Sequence, residues 1–146
     1  MKKAECLYIA AVLCLMAALP QARAAAPQLD IQMKTGMQSG LIHDGTRIAR
    51  GRISQSDLHT GFQVWSNAPR AGSQAQSYLL SGIDQSRKPL RVRLEGNGWS
   101  PDTENGQGIV LHTPEPFATF DVVVDGDQIV QADAWQVQLN GNALQQ

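Results

Sequence analysis

Beyond Cys14 the chain has no cysteine, and beyond Arg93 it has no lysine or arginine. The first absence excludes a disulfide framework and a thiol nucleophile from nearly the whole chain. The second separates the charges along the sequence. Lys34, Arg47, Arg50, Arg52, Arg70, Arg87, Lys88, Arg91 and Arg93 precede position 94, and Glu95, Asp102, Glu104, Glu115, Asp121, Asp125, Asp127 and Asp133 follow it. Such a split can produce a basic and an acidic face, but strands from the two halves are expected to interleave so that the charges average out. Catalytic signatures are missing as well. There is no Gly-x-Ser-x-Gly elbow and no glycine loop that could cradle phosphate ahead of a helix. His43, His59 and His112 have no partner at metal-ligand spacing, and Asp125-Gly126-Asp127 lacks the further oxygen ligands a hard cation needs. No catalytic, cofactor-binding or metal-ligating residue is assigned on these grounds. A hydrolytic site built from Asp102, Glu104 and Glu115 is the weakest of the functional readings, because carboxylates in an exposed loop ordinarily just solvate it.

What is present begins with a targeting pattern. Lys2 and Lys3 precede an apolar run from Leu7 to Leu19, and Pro20 and Ala22-Arg23-Ala24 follow. The run is short of the ~20 residues that span a bilayer, and a small-residue cleavage site comes after it, so residues 1–24 are predicted to be a secretory signal peptide cut before Ala25. Both cysteines lie in the removed part. Residues 25–146 then form a single exported domain, long enough for a core but in need of good packing or of a partner that completes it.

Within that domain the hydrophobic period is two. Leu90, Val92 and Leu94 alternate with Arg91, Arg93 and Glu95, which predicts a half-buried strand ending at Gly96-Asn97-Gly98 and closed to further pairing by Pro101. Leu29 to Met33 reads as the first strand, ended by Gly36 and Gly40. Thr46 to Ser54 reads as the second, with a bulge near Gly51 needed to bring both Ile48 and Ile53 to the core. Phe62 and Val64 share a face in the next strand, and Trp65 is expected in the core or between sheets. Ser77–Ser81 pairs with Leu90–Glu95. Asn97–Gly108 is a loop, and Ile109–Thr113 and Phe117–Val124 are strands. Asp125-Gly126-Asp127 turns the chain, and Trp135, Val137 and Leu139 form a last strand that Asn140-Gly141 breaks. No helical stripe follows the signal peptide. Roughly seven short strands with turn signals between them predict an all-β fold, an immunoglobulin-like antiparallel sandwich, with a small closed barrel as the alternative. Nucleic acid is excluded as a partner, since an exported, net acidic domain gains little from neutralising phosphate.

Several blocks then resemble a known family in the same order along the chain: Asp44-Gly45 before Gly51-Arg52-Ile53; His59-Thr60-Gly61-Phe62-Gln63-Val64-Trp65 with Asn67; Leu90-Arg91-Val92-Arg93 leading to Gly98-Trp99-Ser100-Pro101; and Phe120-Asp121-Val122 ahead of Asp125-Gly126. They are similar to the invasin-type minor tip subunits of Afa/Dr chaperone–usher adhesive pili. The resemblance implies a sandwich lacking its final strand, which a neighbouring major subunit donates. It also implies a periplasmic chaperone, an outer-membrane usher, a place at the pilus tip on the cell surface, and a host-cell receptor for which integrin has been proposed. Only Ala25 to Gln28 precede the first strand, too few to donate one, so the expectation is a subunit that accepts a strand without giving one. The family carries a cysteine pair in the mature domain; Ser54 to Ser56 and Asn140 to Ala143, where it would fall, have none. No receptor motif transfers. Arg91 and Arg93 are the candidate binding residues, because exposed arginines are favoured at interfaces; the competing reading is that they keep a strand face soluble. The leading function is thus a non-enzymatic pilus tip subunit acting as adhesin or invasin in host-cell attachment and uptake. The alternative is a free-standing secreted or periplasmic binding domain with a complete sandwich.

Overall fold

The computed structural model describes residues 26–34, 39–83, 88–131 and 135–145. The predicted signal peptide, Gly36 and Asp133 lie outside these residues. Eleven strands and no helix occur among the described residues: β1 (Gln28–Met33), β2 (Gly40–Ile42), β3 (Arg47–Ser54), β4 (Gly61–Ser66), β5 (Ser77–Leu80), β6 (Leu90–Glu95), β7 (Ser100–Pro101), β8 (Ile109–His112), β9 (Phe117–Val124), β10 (Gln128–Val130) and β11 (Leu139–Leu144). All pairings between strands are antiparallel. One sheet runs β1-β3-β9-β6-β5, a second runs β11-β4-β8-β7, and β10 and β2 form a small ribbon. This is the predicted immunoglobulin-like sandwich, not a closed barrel.

The alternation read in the sequence sorts the two faces of each long strand. Leu90, Val92 and Leu94 of β6 are buried, as are Ala118, Phe120, Val122 and Val124 of β9, and they meet Phe62 and Val64 of β4 and Ile109 of β8 in one core. Both isoleucines of β3 are fully buried, and a bulge does bring them there, but it lies between Arg47 and Ala49, so Ile48 is the extra residue. Gly51 has a different task. It sits directly opposite Phe120, and a Cβ added to it would lie 2.1 Å from Cζ of that ring. The missing side chain is where the phenylalanine packs.

Three expectations are corrected. Trp65 is not a core residue: Phe62 and Val64 take the inner face of β4, which leaves Trp65 half-buried on the outer face, paired with Asn140. Pro101 does not end pairing, because Ser100–Pro101 forms a two-residue edge strand on β8, a position where a missing amide donor is tolerated. Asn140-Gly141 does not break the last strand. β11 runs from Leu139 to Leu144, with Gly141 opposite Val64, and Trp135 makes only a bridge to Gly82. Glycine is retained mid-strand because a Cβ there would lie 2.6 Å from Cδ1 of Ile53 in the facing sheet. The charges of the two halves average out, as the interleaving reading expects, since the sheet order places β9 between β3 and β6. Asp121 consequently lies 3.2 Å from Arg50 and 3.9 Å from Arg47, and Asp125 lies 3.1 Å from Arg93.

Candidate functional site

The two main sheets have four edges, and the chain protects two of them. β5 is covered by the segment before it: Ala71 N–H donates to Ser77 O, Leu79 N–H donates to Pro69 O, and Arg70 bridges Tyr78. β7 is two residues long and contains a proline. The other two edges, β1 and β11, are six residues each, and among the described residues each pairs on one side only, β1 with β3 and β11 with β4. A long unpaired edge presents a row of free amides and carbonyls to any extended chain. β1 and β11 also approach one another on the same flank of the sandwich, one from each sheet.

Exposure along this flank shows where the core is open. In the middle of the sandwich Ile48, Ile53, Phe62, Val64 and Leu90 are fully buried. Toward the flank, Leu29 and Ile31 of β1, Val137 just ahead of β11 and Leu139 at its start are only partly buried against the same core, and Met33 is 44% exposed. Apolar side chains that belong to the core but are not sealed by it, beside two unpaired edges, make a site for one further strand with alternating apolar residues.

The outer face of the five-stranded sheet is the second surface. Strand register lays it out as three rows across β1, β3 and β9: Gln28, Ser54, Phe117; then Asp30, Arg52, Thr119; then Gln32, Arg50, Asp121. Arg52 stacks on the Phe117 ring, its guanidinium carbon 4.2 Å from the ring centre.

Arg91 and Arg93 lie on β6 in the same sheet, but they are engaged differently from what their sequence position implied. The Arg93 side chain is only 21% exposed and donates to Asp44 at 2.6 Å, Glu95 at 3.0 Å and Asp125 at 3.1 Å. Asp44 accepts from Gly126 N–H at 2.8 Å as well, and its own N–H donates to Asp127. The cluster clasps the turn before β3 to the turn after β9. The bond from Arg93, followed by that from Gly126, holds the Asp44 carboxyl below the usual aspartate range. Arg91 is more exposed, with Nε donating to the Asp125 carbonyl at 2.8 Å.

The loop carboxylates are not brought together as an acid–base pair. Asp102 is buried and accepts from Gln63 Nε2 at 2.7 Å and from Asn105, which pins its loop onto β4; Glu104 is exposed in that loop, and Glu115 lies in the separate turn before β9. The Glu115 carbonyl contacts His59 Nε2 at 2.6 Å, and His59 Nδ1 lies 2.7 Å from the Asp57 carbonyl. No group of three or more His, Cys, Asp or Glu poised to hold a metal occurs among the described residues. The row of Gln28, Ser54 and Phe117 and the Arg52 stack escaped sequence reading, because their members are scattered over three strands and meet only through register.

The comparisons with known proteins agree with this architecture. The sequence matches the family described as Enterobacteria AfaD invasin protein over residues 38–141. The AfaD protein of Escherichia coli is 35% identical over 117 residues, covering 80% of this chain and 78% of that protein. The crystal structure of the Salmonella SafD adhesin superposes with a TM-score of 0.78 at 40% identity, covering 82% of this chain and 88% of that one. The minor tip subunit HdaB of the E. coli Hda pilus superposes with the same TM-score of 0.78 at 32% identity, over 84% and 85% of the two chains. A match that runs from ahead of β2 into β11 spans nearly every strand of the sandwich, and on it this chain belongs to the AfaD invasin family.

Proposed function

We propose that the chain is a minor tip subunit of a chaperone–usher pilus, an adhesin or invasin of the bacterial surface rather than an enzyme. The observation that carries this reading is the pair of uncovered six-residue edges, β1 and β11, flanking a core left partly open at Leu29, Ile31 and Met33. A strand donated by a major subunit would complete both sheets and seal those side chains. A periplasmic chaperone would shield the same flank during export, and an outer-membrane usher would carry out the exchange. Being named an adhesin, as SafD is, or a minor tip subunit, as HdaB is, supports the same role here. Receptor contact falls to the surfaces away from the flank. Arg91 offers an exposed guanidinium there, and Arg93 contributes by fixing the turns beside it.

The test compares piliated bacteria with and without this subunit on cultured host cells. Attachment and uptake should fall while the number of pili is unchanged, and the purified subunit added in excess should compete with the intact bacteria. Undiminished attachment and uptake in the deletion strain contradicts the adhesin assignment.

A further inference from the structure

The outer face of β1, β3 and β9 contains a cleft that the strand-accepting role leaves unused. It has a volume of about 530 Å³, and Gln28, Arg52, Ser54, Ser56, Pro116 and Phe117 are among the residues that line it. That size lies within the ~300–1,000 Å³ of small-molecule sites. Among the described residues Arg52 is the only charged side chain in the lining. Unlike Arg47, Arg50 and Arg93, it makes no ion pair among the described residues. Its guanidinium carbon lies 4.2 Å from the centre of the Phe117 ring, and a guanidinium held against an aromatic ring carries the planar donor fork that suits a carboxylate. Phe117 itself is 48% exposed, and it sits directly opposite Ser54, which in turn sits opposite Gln28. One cation, neutral hydroxyl and amide groups, and a half-exposed aromatic ring thus line a single hollow.

From this juxtaposition we infer that the cleft binds a carboxylated sugar, the carboxylate on Arg52, the ring hydroxyls on Ser54, Ser56 and Gln28, and an apolar face of the sugar against Phe117 and Pro116. A peptide rich in acidic residues fits less well. Asp30 lies opposite Arg52 on β1, and Asp57 and Glu115 are the chain neighbours of the lining residues Ser56 and Pro116, so several carboxylates would be repelled where one is accepted. The inference deepens the adhesin reading by giving its receptor contact a chemistry. Its residues lie on the outer face of the β1-β3-β9 sheet, and among those named only Gln28 belongs to a strand of the accepting flank.

The experiment is ligand-observed NMR and calorimetric titration of the full exported chain with the methyl glycosides of N-acetylneuraminic acid and glucuronic acid. Methyl galactoside serves as the neutral control and a short aspartate–glutamate peptide as the acidic one. At least one acidic sugar should bind, with affinity at least tenfold above that of both controls. Arg52→Gln and Phe117→Ala should each weaken it tenfold or more, and both variants should keep the parent's amide spectrum elsewhere because both side chains are solvent-exposed. If either variant loses its fold, Ser54→Ala and Gln28→Ala carry the test, and each should weaken the sugar severalfold. Absence of acidic-sugar binding by a folded chain overturns the inference. So do equal binding of the neutral sugar or of the acidic peptide, and binding indifferent to the variants. A chain that is stabilised by a donor-strand peptide yet ignores both sugar acids would lose this inference alone and keep the pilus assignment.

Discussion

Gly51→Ala should destabilise the domain by about 3 kcal/mol or more, at or beyond the upper end of what overpacking a core ordinarily costs. The methyl group would point at the tip of Phe120, 2.1 Å from Cζ and 2.5–2.6 Å from the two neighbouring ring carbons. Phe120 cannot swing aside, because it is fully buried, with Trp99 packed edge-on to it at 5.8 Å between ring centroids, and the Trp99 indole is itself tied to the Thr119 carbonyl. Since small domains hold only about 5–15 kcal/mol in all, the variant should show a clear loss of Tm or fail to accumulate. The companion Gly51→Ala/Phe120→Leu removes the ring tip and should recover part of the loss relative to Gly51→Ala. A Gly51→Ala chain as stable as the parent by denaturant titration would show that the ring does not occupy the place of the missing side chain.

Replacing Arg93 should have the second-largest effect. Arg93→Gln removes the cation that three carboxylates share and leaves Asp44, Asp125 and Glu95 facing one another. Hydrogen bonds to charged groups contribute about 1.5–3 kcal/mol, and the partial exposure of the site places the expected cost toward the lower end of that range. The pH dependence has a definite sign. The Asp44 carboxyl is held below its ordinary range by Arg93 and by Gly126 N–H, so the unfolded chain takes up a proton before the folded one does as the solution is acidified. Its contribution is therefore complete above the ordinary aspartate range and is lost as pH falls below about 4 and through the folded value. Denaturant midpoints measured at descending pH should fall more steeply for the parent than for Arg93→Gln. Parallel curves would mean that the clasp is not the source of the acid sensitivity.

The fold was legible wherever period two had a strong apolar phase. Leu90–Glu95 and Phe117–Val124 are bounded in the structure as the alternation and their turn residues require. It was less legible where a residue answers to something distant in sequence. Asn140-Gly141 has the composition of a turn, yet Gly141 lies inside β11 because Ile53, on the other sheet, fills the space where a side chain would be. The need for a bulge in β3 was visible from the parity of Ile48 and Ile53, but its place was not, since Gly51 invited the bulge while serving instead as the seat of Phe120. The three-residue strands β2 and β10 carry too few alternations to stand out from turns, and they exist by pairing with one another. The binding surface was the least legible part. Arg91 and Arg93 were conspicuous as an arginine pair on a clear strand, but Arg93 proves to be surrounded by carboxylates from three segments, whereas Arg52 has its stacking partner 65 positions away on β9. The resemblance of ordered motif blocks to pilus subunits, by contrast, was carried by short contiguous stretches and so could be read directly.

On the proposed reading, β1 and β11 are the two sides of a place for a missing strand. The most direct measurement is the thermal unfolding of the exported chain, alone and with a synthetic peptide of alternating apolar residues copied from the N-terminal segment of the major pilus subunit of the same assembly. A ligand that binds only the native state at a thousandfold excess over its Kd adds about 4 kcal/mol, or on the order of 10–20 °C in Tm for a domain of this size. The chain alone should show a low Tm, and the peptide should raise it by at least that much, an effect abolished when the peptide's apolar positions are replaced by aspartate. A Tm that is high from the start and indifferent to every donor peptide would contradict the proposed reading, and would make this a self-sufficient sandwich.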